Sequence, residues 1–493
     1  MAPLGNEKNQ LFLGLFIHSV KLGELQYLHD TAVCVDKSGK IVAVEQQYDQ
    51  KKAEEILYPK LGWETDDVTV TAAKDGQFFF PGFIDTHIHA PQYPNVGIFG
   101  KSTLLDWLNT YTFPMEASLS SLPKARRVYT RCIQRTLAHG TTTAAYYATI
   151  HVPSTNLLAD LCLSLGQRAF VGRVCMDNLG PDYYLDESPS QSLAATRATI
   201  DHIRSIDADF DLVSPILTPR FAPACSVDAM TQLGALHQET GLPIQTHIAE
   251  NVDELKLVRD MFPNSKHYAD VYDRFGLLGK RTILAHAIHL SAEEVDLVAT
   301  RGSKVSHCPC SNSALTSGVA PVRWLLDKGV GVGLGTDVSG GYSPSVLYAA
   351  RHAVLVSNHL AMPPRAGKKH PNPEADTTPK DDRELARLSV EEVLHLATRG
   401  GAEVVGLGDK IGGFEVGKEW DAQLIGLGLV PEEDDGTESK QDEEDQGQGQ
   451  DTGNVDIFGW ERWEDRVAKW MFNGDDRNVK KVWVRGRLVH ERR

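Results

Sequence analysis

The feature that most constrains this chain is a long alternation of element types. Eight apolar, β-branched runs recur along its middle: Phe79–Ile88, Thr141–Ala148, Ala169–Met176, Leu212–Leu217, Pro243–Ile248, Thr282–Ala285, Lys304–Ser306 and Val330–Leu334. Helical patterns lie between them. In Pro123–His139 the apolar residues Val128, Cys132, Ile133 and Leu137 recur at helical spacing. Ser226–His237 and Ser291–Ala299 each open on a Ser able to cap the first turn. About eight strands alternating with helices is the arithmetic of an α/β chain folded as a (β/α)₈ TIM barrel. The rival, an open doubly wound sheet, would bring a Gly-rich dinucleotide turn after the first strand, and the sequence has none.

Both ends of the chain are β-rich. Thr31–Asp36 and Lys40–Glu45 are short β-prone runs joined at Ser38-Gly39, a hairpin signal, and Thr69–Ala72 and Phe78–Phe80 continue the pattern. Asp421–Ile425 and Val479–Val489 match it at the far end, with Arg485-Gly486 as a tight turn. The expectation is a small β-sandwich domain built from residues 1–78 and 406–493, flanking a barrel of residues 79–405. Two interruptions stand out: the Pro-rich, polar stretch Ala361–Asp382, and an acidic stretch at 431–454. The latter has no large apolar side chain and is rich in Gly and Gln, so a disordered surface insertion is expected.

Charge narrows the function. The formal net charge of the 493 residues is −16, and the acidic stretch, with ten acids and one Lys, carries −9 of it. The rest is a normally charged surface without the basic face that nucleic-acid binding needs. No run approaches the ~20 apolar residues of a membrane span. The N-terminus lacks a basic region ahead of an apolar one, so no secretory signal is expected. Seven cysteines, an odd number with no Cys-x-x-Cys pair, fit a reduced, cytoplasmic protein. Cys308-Pro-Cys310 reads as a turn with two small residues rather than a metal pair.

In a barrel of this kind the chemistry sits at the C-terminal ends of the strands. The first run ends in His87-Ile-His89, the fifth in His247-Ile-Ala-Glu250, the sixth in His286 and the eighth in Asp337. Side chains alternate along a strand, so His87 and His89 point to one side and can grip one ion. A His from the fifth strand and a carboxylate from the eighth complete a nitrogen and oxygen set that suits Zn²⁺, or Fe²⁺ with open positions.

At this point a resemblance becomes specific. Pro81–His89 resembles the opening metal motif of the amidohydrolase superfamily, and His247, His286 and Asp337 match its later signature positions. Ile411–Asp421 looks like the segment where such chains re-enter the small domain. Within the superfamily the chain is most similar to the guanine deaminases. The strings that carry this are His87–Tyr93, Trp107–Pro114, Gly140–Ala144, Gly166–Gly172, Val174–Asp177, Thr218–Phe221 and Gly335–Ser343. The likeness runs from about Phe12 to about Val489 and fails in the two insertions. Many superfamily members bridge two metals with a carboxylated Lys on the fourth strand. Asp211–Pro219 contains no Lys, which favours a single metal.

The resemblance implies roles for individual residues. His87, His89, His247 and Asp337 would bind one Zn²⁺ per subunit, with His286 orienting or polarising a water beside it. Asp337 would accept a proton from that water as it attacks C2 of guanine, and Glu250 would protonate the ring nitrogen and help deliver a proton to departing ammonia. Recognition would fall to Gln92, Arg220 and Phe221, alongside His247, Glu250 and Asp337. Arg220 can only donate, which suits O6 of guanine, whereas Gln92 can both donate and accept. Phe221 would offer an apolar face to the ring. His307–Asn312 resembles a strand-seven string of the family, with Cys310 where Asn is commoner. The resemblance also implies a homodimer. Two other readings stay open: the same metal site turned on another aminopurine, a pyrimidine or a triazine, and a non-catalytic scaffold on this fold.

Overall fold

The computed structural model describes residues 6–362, 386–431 and 453–492. The Pro-rich stretch and the acidic stretch therefore lie outside the described residues but for their edges.

Twenty strands are found among the described residues. The terminal segments contribute β1 (Asn9–Lys21), β2 (Glu24–Val35), β3 (Ile41–Gln46), β4 (Val68–Ala72) and β5 (Gln77–Pro81). The middle contributes β6 (Phe83–His89), β7 (Thr141–Tyr147), β8 (Arg168–Gly172), β9 (Val174–Cys175), β10 (Val213–Pro215) and β11 (Thr218–Pro219). It continues with β12 (Ile244–Ile248), β13 (Thr282–His286), β14 (Lys304–His307) and β15 (Val332–Leu334). The chain closes with β16 (Ala422–Gly426), β17 (Gly428–Leu429), β18 (Asp456–Ile457), β19 (Val479–Val484) and β20 (Arg487–Glu491).

The middle is a TIM-barrel-like α/β arrangement. β6, β7, β8 and β10 pair in parallel in chain order, and so do β12 through β15. Two parallel bridges, Leu217 to Ile244 and Phe221 to His247, join the first set to the second. At the other seam Asp337 N–H donates to His87 C=O at 2.9 Å and His89 N–H to Val338 C=O at 3.1 Å. Helices occupy the connections. Val227–Thr240 is capped by the Ser226 side chain, and Ala292–Arg301 by a reciprocal pair between Ser291 and Glu294.

The first apolar run proves to be two strands rather than one. It divides at Gly82, where any Cβ would collide with the Thr142 side chain. β5, before the glycine, pairs antiparallel with β16 in the terminal sheet, whereas β6, after it, opens the parallel set. The run Ala169–Met176 is likewise broken at Arg173, and Leu212–Leu217 stops at Pro215 and resumes as β11. Period alone does not register such breaks, because the side chains on both sides stay apolar.

One eight-stranded sheet joins the two ends of the chain, in the order β20-β19-β16-β5-β1-β2-β3 with β4 beside β1. Its β19–β20 hairpin turns at Arg485-Gly486, both at positive φ (50° and 75°). Aromatic rings from both ends lock it: Phe12 stacks on Trp420 at 4.2 Å and Phe16 on Phe79 at 4.8 Å.

Candidate active site

The structure brings together every site residue expected from the sequence. The local fold explains why. His87 and His89, two apart on β6, point to the same side. β12 and β13 pair so that Ile248 lies opposite His286, a register that alone would turn His247 and His286 to opposite faces, yet with the backbone of His286 left-handed their rings stack at 5.4 Å. His286 and Asp337 take left-handed backbone conformations (φ 73° and 47°), as does Ala249 (φ 51°). Non-glycine residues are held in this region only where the surroundings over-determine them, and such positions cluster at functional sites.

The nitrogen and oxygen atoms converge. The ligand atoms of His87, His89 and His247 all lie within 4.8 Å of one another. Asp337 Oδ1 lies 3.2 Å from His87 Nε2 and 3.4 Å from His89 Nε2, and His89 Nε2 faces His247 Nε2 at 3.2 Å. His247 Nδ1 sits 2.6 Å from Arg220 C=O, which can only accept, so Nδ1 carries the proton and Nε2 turns a lone pair to the centre. His87 Nε2 and His286 Nε2 are buried without a hydrogen-bond partner. Buried polar atoms are nearly always satisfied, so this clustering of orphans fits a site completed by a metal ion.

The surroundings tune the charges. Burial would raise the Asp337 carboxyl, but His87, His286 and His89 outweigh it and hold the group far below the usual carboxylate range, as an ionised ligand must be. Burial dominates at His87, His89 and His247 and lowers each, keeping the imidazoles neutral and able to ligate. At His286 burial is outweighed by Glu250 and Asp337, and its pKa is raised. His286 Nε2 lies 3.5 Å from Glu250 Oε2 and 3.7 Å from Asp337 Oδ2, and its Nδ1 is held by Asn312 Oδ1 at 2.8 Å. Glu250 is pushed up to about 7, chiefly by burial. A carboxyl poised there can both give and take a proton near neutrality.

Cys308 forms a second close group with His87 and His286. Burial, reinforced by Asp337, holds its thiol far above the ordinary range and so protonated, a poor ligand beside imidazoles and a carboxylate. Cys308 and Cys310 are buried at the start of the helix Pro309–Ala314, not exposed as a metal-binding pair.

Around the cluster the pocket is walled by Leu104, Trp107, Leu108, Phe221 and Leu315, with Gln92 and Arg220 as its polar end. Several supporting residues escape sequence reasoning. Asp85 accepts from Thr336 N–H (2.9 Å) and Thr336 Oγ1 (2.5 Å), tying the first strand of the set to the last beside the ligands. Glu254 accepts from Glu250 N–H (2.8 Å) and Asn251 N–H (3.2 Å), fixing the loop that carries Glu250. Ser317 Oγ reaches Glu250 Oε1 at 3.2 Å. Glu116 holds Arg220 and Gln92. Only Glu254 left a trace in the sequence, as the Glu three residues after Asn251 in a capping pattern.

The comparisons with known proteins agree with this geometry. Residues 78–489 match the amidohydrolase family. A probable guanine deaminase of Schizosaccharomyces pombe is 47% identical over 97% of this chain and 83% of its own length. A guanine deaminase of Homo sapiens is 39% identical over 99% of this chain and 97% of its own. Among solved structures, a guanine deaminase from C. acetobutylicum with guanine in its active site superposes with a TM-score of 0.80 at 31% identity, covering 98% of this chain and 100% of that one. The chain belongs to the amidohydrolase family.

Proposed function

We propose that this protein hydrolyses guanine to xanthine and ammonia. The observation that carries the reading is the meeting, in one pocket, of a convergent His and Asp cluster with the donor-rich end formed by Arg220 and Gln92. His87, His89, His247 and Asp337 would hold a divalent ion, read here as one Zn²⁺ per subunit. Such an ion supplies a water of lowered pKa at neutral pH.

The chain's own groups do the rest. Arg220 donates to O6, Gln92 reads the neighbouring edge, and Phe221 covers the ring. Asp337 takes a proton as water adds to C2, and His286 keeps that water oriented. Glu250 gives its proton to the ring nitrogen and then serves the leaving ammonia. Proton transfer of this kind contributes ~10²–10⁴-fold. The apolar walls, Trp107 and Leu108 among them, exclude bulk water from the exchange.

The same reading includes the finer architecture: eight parallel strands closing as a (β/α)₈ barrel of residues 79–405, and a small β-sandwich domain from 1–78 and 406–493. β5 straddles the first boundary. It also includes a homodimer, on the strength of the resemblance. A cytoplasmic location is supported by the seven buried, unpaired cysteines. No helix among the described residues is long and apolar enough to cross a membrane.

The test is ammonia release from guanine, with adenine, cytosine and melamine as controls. Release from a control but not from guanine would move the activity to another aminated ring. Release from none, with no metal bound, would favour the scaffold reading.

A further inference from the structure

The most completely partnered carboxylate near the pocket belongs to a residue with no role so far. Glu116, fully buried, lies on the short helix Phe113–Ser118 that follows a π-helical turn at Leu108–Thr112. Its Oε1 accepts from Gln92 Nε2 at 2.8 Å and Arg220 Nη2 at 3.1 Å. Its Oε2 accepts from Arg220 Nη1 at 2.7 Å and the Tyr184 hydroxyl at 2.8 Å. A carboxylate has about four lone-pair sites, and these four donors fill them. Glu116 therefore has nothing left to offer a bound ring.

What it does instead is fix the two groups that read the ring. The bidentate grip sets the plane of Arg220, which also lies over the Phe113 ring at 5.1 Å. The Gln92 amide meets partners of fixed sense at both ends: Nε2 faces the carboxylate, and Oε1 accepts from Ser339 N–H at 3.2 Å. Turned over, the amide would set oxygen against oxygen and N–H against N–H, so one orientation is locked. The spare hydrogens of Arg220 and Gln92 are left for the pocket, which both residues line.

We propose that Glu116 is a positioning residue that makes this pocket select a purine with an oxygen at C6 over one with an amino group there. A 6-amino group would bring N–H against guanidinium N–H, which cannot accept, and leave buried donors unpaired. Sites built this way discriminate strongly. The inference rests on the guanine reading above and says which residue enforces it.

The test compares guanine with 2,6-diaminopurine, both aminated at C2, in the metal-loaded full-length protein. Glu116→Gln keeps the volume but faces the four donors with an amide that brings hydrogens of its own. The KM for guanine should rise by about tenfold or more with a smaller change in kcat, the scale on which supporting partners act. Bound metal should be unchanged, and the ratio of kcat/KM for guanine to that for 2,6-diaminopurine should shrink. Tyr184→Phe removes one of the four donors without touching Arg220 or Gln92. It should move the ratio the same way by less, and it carries the test if the first variant does not fold. A ratio unchanged in the folded variants, or a wild-type protein with no preference between the two purines, would overturn the proposal. A wild-type protein releasing no ammonia from guanine would instead defeat the activity reading.

Discussion

Two buried charged clusters sit at opposite ends of the parallel strands and are built differently. At the N-terminal end, Arg168 opens β8 and donates from all three nitrogens: Nε to Asp421 at 3.0 Å, Nη1 to Asp211 C=O at 2.7 Å, and Nη2 to Glu419 at 2.5 Å. Asp421 also accepts from Arg485 N–H at 2.8 Å. At the C-terminal end, the ligand atoms of His87, His89 and His247 crowd within 4.8 Å of one another, and two strand-end residues sit at positive φ. The first cluster pairs acids with Arg168 and Arg485 and ties the barrel-like part to the terminal sheet. The second gathers ligand-type atoms around one point on strained backbone, as a fold does where a ligand is held. The contrast teaches that burial and charge alone do not mark a functional site. The convergence of several ligand atoms on one point does.

Cutting the histidine cluster should have the largest effect on activity. Asp337→Ala and His87→Ala should each abolish turnover and lower bound metal, because each supplies one of a small set of ligands. Stripping the metal with a chelator should do the same to the unaltered protein and lower its melting temperature, since an ion bound only by the folded state stabilises it. A variant keeping stoichiometric metal and near-normal turnover would break the distinction between the clusters.

Glu250→Gln sharpens it. Gln keeps the shape and much of the hydrogen bonding to Ser317 but cannot shuttle a proton. Turnover should fall by at least ~10²-fold with metal content unchanged and guanine binding only modestly weaker. Metal lost along with turnover would make Glu250 part of the ligand scaffold, and turnover retained would move the proton to Asp337 or His286.

The arginine cluster should respond the other way. Arg168→Met takes from the buried Asp421 and Glu419 their hydrogen-bonded cation and leaves Glu419 with Arg485 Nε at 3.6 Å, a change that costs about 3–5 kcal/mol of stability. Chemical denaturation should show that loss, while ammonia release per folded molecule stays near normal. Equal losses of activity and stability would show that the two ends are not independent.

How much of this was legible in the sequence follows the same line. The metal-like cluster was, because its members sit at strand ends, and for His87 and His89, two apart on β6, strand period also dictates where each points. The turning of His286 towards His247 was not, since it depends on a left-handed backbone that alternation does not foresee. The helix caps at Ser226 and Ser291 were legible for the equally local reason that a side chain bonds within its own first turn. Glu116 was not. Its partners Tyr184 and Arg220 lie 68 and 104 residues away, and nothing in a helix-borne Glu announces a clamp. Arg168 was hidden in the same way, with Glu419 and Asp421 more than 250 residues on. The division of the first run at Gly82 was hidden because a close approach to Thr142 is a property of packing, not of pattern.

The smallest effect should come from outside both clusters. The acidic stretch lies between β17 and β18, which pair in parallel, Gly428 with Asp456 and Leu429 with Ile457. A parallel pair needs a connection of about a dozen residues for the chain to return to its starting end. Deleting Glu432–Asp445 removes nine of the ten acids and the Lys, and leaves twelve residues between Leu429 and Asp456. The pair can therefore still form. The removed residues include no large apolar side chain, and connections tolerate length changes at ~0.6 kcal/mol per doubling. Turnover on guanine should stay within about twofold, and the melting temperature should shift by only a few degrees, the scale of a change of about 1 kcal/mol or less. A large fall in melting temperature with activity kept would give the stretch a part in holding β17 and β18. Loss of activity with the fold intact would tie it to the pocket at the far ends of the strands.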